Sequence, residues 1–270
     1  VAAGAWWWEP KRLVVERHRV RLPRLATALN GLKGAQLTDL HCGPLVSDEY
    51  LRSAVSATNA LGPDLVCLTG DFVSASTKYA PQCADLLSGL RAPLGVFAVL
   101  GNHDHWTGAE RVQRELERVG VAVLCNQWVW VGRGSGALAL AGVDDVWEQA
   151  ADLEGALRGI PAEACTVLLA HEPDFADEVR RQPVDLQLSG HTHGGQVWLP
   201  LWGAPMLPRY GHRYPRGWYR LDHLQLNTNC GVGCITPPIR LNCPPAIALF
   251  ELRSAQLGLL AGPANSKRAG

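Results

Sequence analysis

With 270 residues, 47% of them apolar, the chain has the length to bury a core and suits one large α/β domain better than two small ones. Lys plus Arg and Asp plus Glu both come to 25, so no overall field draws nucleic acid or anionic lipid, and the basic patch of a nucleic-acid binder is missing. The cysteines stand singly, without the Cys-x-x-Cys spacing of a zinc ribbon or redox pair, which excludes a structural metal knuckle.

Taken in chain order, Val1 to Ala5 is apolar, Trp6-Trp7-Trp8 follows, and Glu9-Pro10-Lys11-Arg12 closes the run. That is how the interfacial end of a membrane span or signal anchor reads, which would make residues 1–12 the remnant of an N-terminal anchor. The full-length protein is then expected at a membrane or exported. An N-terminal strand with aromatic packing is the other reading, and with it a cytoplasmic protein. No run of 18 apolar residues occurs, so no spanning helix is expected.

Leu13 to Val20 alternates apolar and charged residues, the pattern of an edge strand with one wet face. Apolar runs over Leu32–Thr38, Asp64–Thr69 and Pro93–Leu100 predict strands, and helical spacing over Asp48–Leu61 and Ala80–Leu90 completes a β-α-β-α-β series. Thr107, with Glu110 three residues on, reads as a capping box that opens a helix to Val119. Trp128–Val131 and Ala137–Ala141 predict a hairpin across Gly132-Arg133-Gly134-Ser135-Gly136. That glycine cluster lacks the following Lys-Ser/Thr of a phosphate loop. Thr166–Ala170, Val184–Leu188, Gly217–Leu221, Leu224–Asn227 and Ala246–Leu252 are strand-like, which predicts a second sheet packed on the first. One domain then spans residues 13–255, and the tail over 256–270 is expected to be disordered. Cys67 and Cys165 fall in core strands, while Cys230, Cys234 and Cys243 are near enough in sequence for a disulfide.

Polar clusters follow these strands one after another: Asp39-Leu40-His41, Gly70-Asp71, Gly101-Asn102-His103-Asp104, His171 and Gly190-His191-Thr192-His193. Open α/β sheets gather ligands beyond the carboxyl ends of their strands, so the clusters are expected to converge. Their donors are O and N atoms with no competing thiolate, the set a pair of divalent cations needs. Asp39 and His41 can aim at one ion from a loop backbone. Asp71, after a glycine, suits a bridging carboxylate, and Asn102 offers a neutral amide oxygen that leaves His103 for proton work. His191 and His193 can serve opposite ions.

The ordered pattern DxH, GD, GNH(D/E), a lone H and GHxH resembles the calcineurin-like metallophosphoesterases over about Leu37 to His193. TDLH, GNHDHW, AHEPD, SGHTHGGQ and the NCPP of Asn242 to Pro245 are similar to their bacterial membrane-associated or exported phosphodiesterase branch. The resemblance implies a four-layer α-β-β-α sandwich of two mixed sheets flanked by helices. It implies that Asp39, His41, Asp71 and His193 hold one metal and Asp71, Asn102, His171 and His191 the other, with Asp71 bridging. A metal-bridging hydroxide would attack phosphorus in line. His103 would stabilise the transition state or protonate the leaving oxygen, with Asp104 orienting its ring. The implied cofactor is two divalent ions, Mn, Zn, Fe or Co, and the implied partner is a small-molecule phosphoester.

Protein phosphatases of this superfamily carry an Arg soon after the bridging Asp, whereas Asp71-Phe72-Val73-Ser74-Ala75-Ser76 has none. Loss of a guanidinium weakens the grip on a dianionic monoester, so diesters are the expected substrates. The alternatives are a nucleotide-sugar-lipid pyrophosphate, which an apolar cleft would favour, a phosphomonoester, and a non-catalytic metal-bound scaffold. His105 and Trp106 either line the substrate cleft or, as the favoured reading, pack in the core, and Asp144-Asp145 is read as a turn or cap. Arg209, Tyr210, Arg213, Tyr214 and Arg216 either grip a phosphate or sugar or form a solvated loop.

Overall fold

The computed structural model of the chain describes residues 8–133 and 136–255. Strand β1 (Val14–Leu22) forms the edge of a six-stranded sheet, as its alternation of wet and buried positions requires. In the same sheet β2 (Lys33–Leu37), β3 (Leu65–Thr69), β4 (Val96–Val99) and the short β5 (Ala122–Val123) run parallel. The connections between them carry α1 (Asp48–Ala60), α2 (Ala80–Leu87), α3 (Asn102–Thr107) and α4 (Ala109–Arg118). A second six-stranded sheet holds β6 (Gln127–Arg133), β7 (Gly136–Gly142), β8 (Thr166–Leu169), β9 (Leu186–Ser189), β10 (Gly217–Leu221) and β11 (Leu224–Thr228). There β7, β8, β9 and β11 are parallel, and β6 and β10 flank them antiparallel. Short helices α5 (Leu153–Leu157) and α6 (Ala176–Val179) lie in the connections of this half, and β12 (Ala246–Ser254) returns to the first sheet, parallel to β1 and antiparallel to β2.

Three apolar layers give the four-layer sandwich its order. Val99, Leu140, Leu169, Leu188 and Phe250 meet between the sheets. Leu51, Val55, Leu86, Val112 and Leu116 pack α1, α2 and α4 onto the outer face of the first sheet, and Ala156, Ala176 and Val179 pack α5 and α6 onto the second. Truncating Phe250, which is 1% exposed, to Ala would cost about 3–5 kcal/mol, because the close-packed layer cannot collapse onto the void. Helix α1 starts where Ser47 Oγ accepts from the Tyr50 N–H at 3.3 Å, with Asp48 and Glu49 favourable at its N-terminus. The apolar layer is interrupted by one polar tie: Gln36 donates to Thr69 Oγ1 and the Ser189 carbonyl, both at 2.9 Å, and accepts from Asn227 Nδ2 at 2.9 Å. It links the two sheets just beneath the strand ends.

The expected hairpin is formed by β6 and β7, with Trp128 opposite Ala141, and Gly134 and Ser135 at its turn lie outside the described residues. The helix expected over Thr107–Val119 is present as α4, but its N-cap is Gly108 with φ +128° and not Thr107, because α3 comes directly before it. Thr107 ends α3 rather than capping α4, its hydroxyl donating to the His103 and Asp104 carbonyls at 3.0 and 3.2 Å. Cys230, Cys234 and Cys243 are free thiols, so the disulfide that their spacing allowed is not formed. The anchor reading of residues 1–12 falls mainly on residues outside the described set, as does the tail over 256–270; of the former, Glu9–Lys11 form a 3-10 turn. Among the described residues no helix is long and apolar enough to cross a membrane.

Candidate metal centre

The clusters after β2, β3, β4, β8 and β9 meet at one rim of the sandwich. Asp39, His41, Asp71, His191 and His193 all have φ between +48° and +71°. This is the left-handed region that side-chain-bearing residues rarely occupy, at a cost of order 1–3 kcal/mol each. The turns persist because the backbone around them is tied. Asp39 N–H donates to the Gly70 carbonyl and His41 N–H to the Asp71 carbonyl, both at 3.0 Å, and Gly233 N–H donates to the Asp39 carbonyl at 2.7 Å. Sharp turns at strand ends point successive side chains into one cage.

Asp71 is its centre. Its Oδ1 accepts from the His103 N–H at 2.9 Å, while Oδ2 lies 3.5 Å from His41 Nε2 and 3.3 Å from His171 Nε2. On one side His41 Nε2 and His193 Nε2 are 2.9 Å apart, and His193 Nε2 is 3.3 Å from Asp39 Oδ1. That is the spacing of two imidazoles sharing one cation at about 2.1 Å each. On the other side the His171 and His191 rings stand 4.9 Å apart. The donor atoms of Asp39, His41 and His193 fall within 4.8 Å of one another, as do those of Asp39, Asp71 and His171, and those of His41, Asp71 and His103.

Hydrogen bonds also fix which ring nitrogen faces inward. A carbonyl can only accept, so His171 Nδ1 donates to Thr69 O at 2.6 Å and His191 Nε2 donates to Arg209 O at 2.7 Å. The other nitrogen of His171, Nε2, faces Asp71 Oδ2 at 3.3 Å, while His191 Nδ1 and Asn102 Oδ1 are buried without a hydrogen-bond partner. Each such orphan costs about 1–3 kcal/mol. Two of them in the cavity that holds Asp71 point to a cation-binding site, and this donor set of carboxylate, amide and imidazole fits a divalent metal. Close approach makes the cage intolerant of bulk. A Cβ on Gly101 would press on Asp71 Oδ1 and come 2.8 Å from His171 Nε2, and one on Gly190 would meet Thr38 Oγ1 and Asp39 Oδ2.

Burial governs the protons. It lowers His41 and His191 to about 3 and His193 well below its ordinary value, leaving neutral rings with lone pairs free for a metal. Burial also pushes Asp39 up to about 6. It opposes the charge on Asp71 as well, but the His171, His41 and His103 rings together hold that carboxyl well below its ordinary range. His171, which burial alone would deprotonate, is held well above its ordinary value by Asp71. Without a cation, Asp71 and His171 therefore behave as an ion pair.

His103 enters the cage from the start of α3, its Nδ1 3.2 Å from the Ser74 carbonyl. Asp104 does not orient that ring. Its Oδ1 accepts from the Phe72 and Val73 N–H groups at 2.9 and 3.2 Å, and its Oδ2 from Gly101 N–H at 3.0 Å. A carboxylate one residue after His103 on a helix faces another way; this one pins the Asp71 turn to the Asn102 turn.

Several supporting groups gave no signal in the sequence. Arg240, 0% exposed, donates to the Cys230, Gly231, Gly233 and Cys243 carbonyls and lies 3.5 Å from His193 Nδ1, so it holds the loop that backs Asp39. Glu172 accepts from the Val146 and Trp147 N–H groups, with burial and its neighbour Asp145 raising its pKa well above the ordinary range. Asp145 forms the expected turn, accepting from Glu148 N–H at 2.8 Å, but Asp144 also takes His105 Nε2 at 2.7 Å. Of the basic-aromatic stretch, Arg209 holds His191 through its carbonyl. Arg213 pairs with Asp177, and Arg216 stacks on Trp198 at 3.8 Å.

A cavity of about 390 Å³ opens onto Asp71, Asn102, His103, His191 and His193. Trp106, expected to pack in the core, is 52% exposed and lines it instead, 5.4 Å from Trp147, with its Nε1–H donated to Glu148.

A sequence profile described as calcineurin-like phosphoesterase matches residues 32–195. An uncharacterized metallophosphoesterase, YkuE, of Bacillus subtilis (strain 168) is 33% identical over 254 residues, 93% of this chain and 89% of the relative. Phosphodiesterase YaeI of Escherichia coli (strain K12) is 34% identical over 80% of each chain. A transmembrane protein with metallophosphoesterase domain from Danio rerio is 31% identical over 91% of this chain and 58% of its own length. Among solved structures, an NAD nucleotidase of Haemophilus influenzae superposes with a TM-score of 0.53 at 14% identity, over 75% of this chain and 46% of that one. It shares the fold.

Proposed function

The chain belongs to the calcineurin-like phosphoesterase family, and from that premise we propose that it hydrolyses phosphodiesters with two divalent cations held around Asp71. The observation that carries this reading is the position of Asp71 Oδ2 between His41 on one side and His171 on the other, with Asn102 Oδ1 and His191 Nδ1 buried and unpartnered in the same site. Asp39, His41, Asp71 and His193 would hold one ion, and Asp71, Asn102, His171 and His191 the second. Manganese, iron, zinc or cobalt all suit such donors. When bound, the pair supplies a low-pKa water and neutralises charge on the attacking and leaving oxygens.

The side chains do the rest. His103, anchored through Nδ1 to the Ser74 carbonyl, presents Nε2 toward the cavity, where it stabilises the phosphoryl oxygens or hands a proton to the leaving oxygen. Asp104 acts behind it, keeping the Asp71 and Asn102 turns in register. Trp106 and Trp147 line the cavity and give it an apolar side. No Lys or Arg lines the cavity among the described residues, which favours a singly charged diester over a dianionic monoester.

The test is a comparison of an aryl phosphodiester with the corresponding aryl phosphomonoester on manganese-reconstituted protein. A higher kcat/KM for the diester is expected, and a strong preference for the monoester refutes the reading. No second reading has an observation of its own beyond the apolar character of the cavity, which bears on the group the phosphate carries.

A further inference from the structure

We propose that the substrate is a phosphoester carrying an apolar chain, taken from a lipid surface on which the loop between Trp198 and Pro208 docks. This deepens the phosphodiesterase reading and rests on it. A phosphate seated on Asp71 and Asn102 must lay its substituent along the cavity that opens from them. The walls of that cavity are mostly apolar, with Trp106, Trp147, Val197, Met206, Ile235 and Ile239 among them, and the Gln196 amide in the lining is already taken by the Ile235 and Pro237 backbone. Charged groups that would recognise further phosphates, and carboxylates that would take sugar hydroxyls, are missing from the walls among the described residues. An apolar chain is the occupant those walls desolvate well.

The mouth continues the same chemistry outward. Leu201 and Trp202 are 104% and 88% exposed and Met206 is 79% exposed. Leu201 and Trp202 stand on a tight turn in which Leu199 N–H donates to the Gly203 carbonyl at 2.8 Å and Gly203 N–H to the Leu199 carbonyl at 2.9 Å, and Met206 follows three residues after it. At its tip Leu201 has φ +70°, a conformation in which Gly or Asn is at ease and Leu is strained. Strain that displays a leucine to water has no use in folding. It has one at a bilayer, where Leu and Met enter the acyl boundary and Trp settles at the headgroup level.

The turn is also held rigidly at its base. Trp198 N–H donates to the Leu241 carbonyl at 2.8 Å, Asn242 Nδ2 donates to Trp198 O at 3.1 Å, and Arg216 stacks on the Trp198 ring. The first described residues come in beside that base, with Glu9 Oε1 accepting from Cys243 N–H at 2.9 Å and Trp8 63% exposed. The residues that precede them in sequence, Val1 to Trp7, are apolar and aromatic throughout. The exposed side chains Leu201, Trp202 and Met206 carry no charge, so the attraction proposed is apolar and a zwitterionic bilayer suffices.

Two measurements test this. Flotation with phosphatidylcholine vesicles needs no turnover: the wild-type protein is expected to float, and the double variant Leu201→Asn, Trp202→Ser to bind at least tenfold more weakly. Asn suits the positive φ, so the variant should keep its fold and its turnover of a short-chain diester. The second measurement is a series of alkyl p-nitrophenyl phosphates from methyl to hexadecyl, in which KM is expected to fall by at least tenfold with chain length. Equal flotation of variant and wild type, a KM flat along the series, or a preference for a dinucleotide over the hexadecyl ester would each overturn the proposal while leaving phosphodiesterase activity intact. Failure to hydrolyse every ester in the series would instead overturn the reading on which it rests.

Discussion

Replacing Asp104 with Asn is expected to loosen the metal cage without moving the His103 ring. The carboxylate accepts three buried backbone N–H groups, from Phe72, Val73 and Gly101, at 2.9, 3.2 and 3.0 Å. An Asn keeps one oxygen for Phe72 and Val73 but turns its NH2 toward the Gly101 N–H, so a donor meets a donor. One buried N–H left unsatisfied costs about 1–3 kcal/mol, and in a chain of this length each kcal/mol lowers Tm by about 2 °C. A drop of about 2–6 °C in the metal-free protein is therefore expected by scanning calorimetry. The Gly101 turn carries Asn102 and touches Asp71, so metal affinity should fall with it, while the pH profile of the residual turnover keeps its shape. An unchanged Tm and metal content together with a shifted pH profile would restore the carboxylate to the role of orienting His103 and refute this reasoning.

Gly101→Ala places a methyl against Asp71 Oδ1 and 2.8 Å from His171 Nε2; overpacking of about 1–3 kcal/mol and loss of at least one bound ion are expected, read by elemental analysis, and full metal occupancy would contradict the cage. His103→Ala should leave metal content unchanged and lower kcat by about 10²–10⁴-fold; a loss of metal would make the ring a ligand instead. Metal affinity should fall as pH drops through 6, because Asp39, raised by burial to about 6, and His171, raised by Asp71, hold protons that the cations displace; calorimetric titration in two buffers of different ionisation heat reads the release, and its absence at pH 6 would count against both. Asp39 has a folded pKa above its ordinary 3.8, so its contribution to the stability of the metal-free protein is full below about pH 4 and is lost as pH rises through 6. The gain in Tm on adding metal should widen over that window.

Much of this arrangement is legible because strands in a parallel sheet deliver their carboxyl ends to one rim. The runs before Asp39, Gly70 and Gly101 end in the turns they predict, and the apolar period of β3 or β8 is enough to place them. Other features depend on contacts far apart in sequence. Nothing local shows that β12 slots between β1 and β2, or that Gln36 ties Ser189 to Asn227 across the sandwich. Arg240 reads as a solvated cation in a polar loop, yet four carbonyls close around it. Asp104 beside His103 suggested a pair, whereas helical geometry sends adjacent side chains in different directions. For Trp106 the sequence left core and cleft both open and favoured core, since large aromatics usually bury themselves; its partner Glu148 lies far along the chain.

The central claim is that one carboxylate joins two cations. Anomalous diffraction from crystals grown with manganese tests it most directly. Two peaks about 3.5–4 Å apart are expected, flanking Asp71 Oδ2, one toward His41 and His193 and the other toward Asn102, His171 and His191. A single peak, or peaks that Asp71 does not touch, would contradict the account.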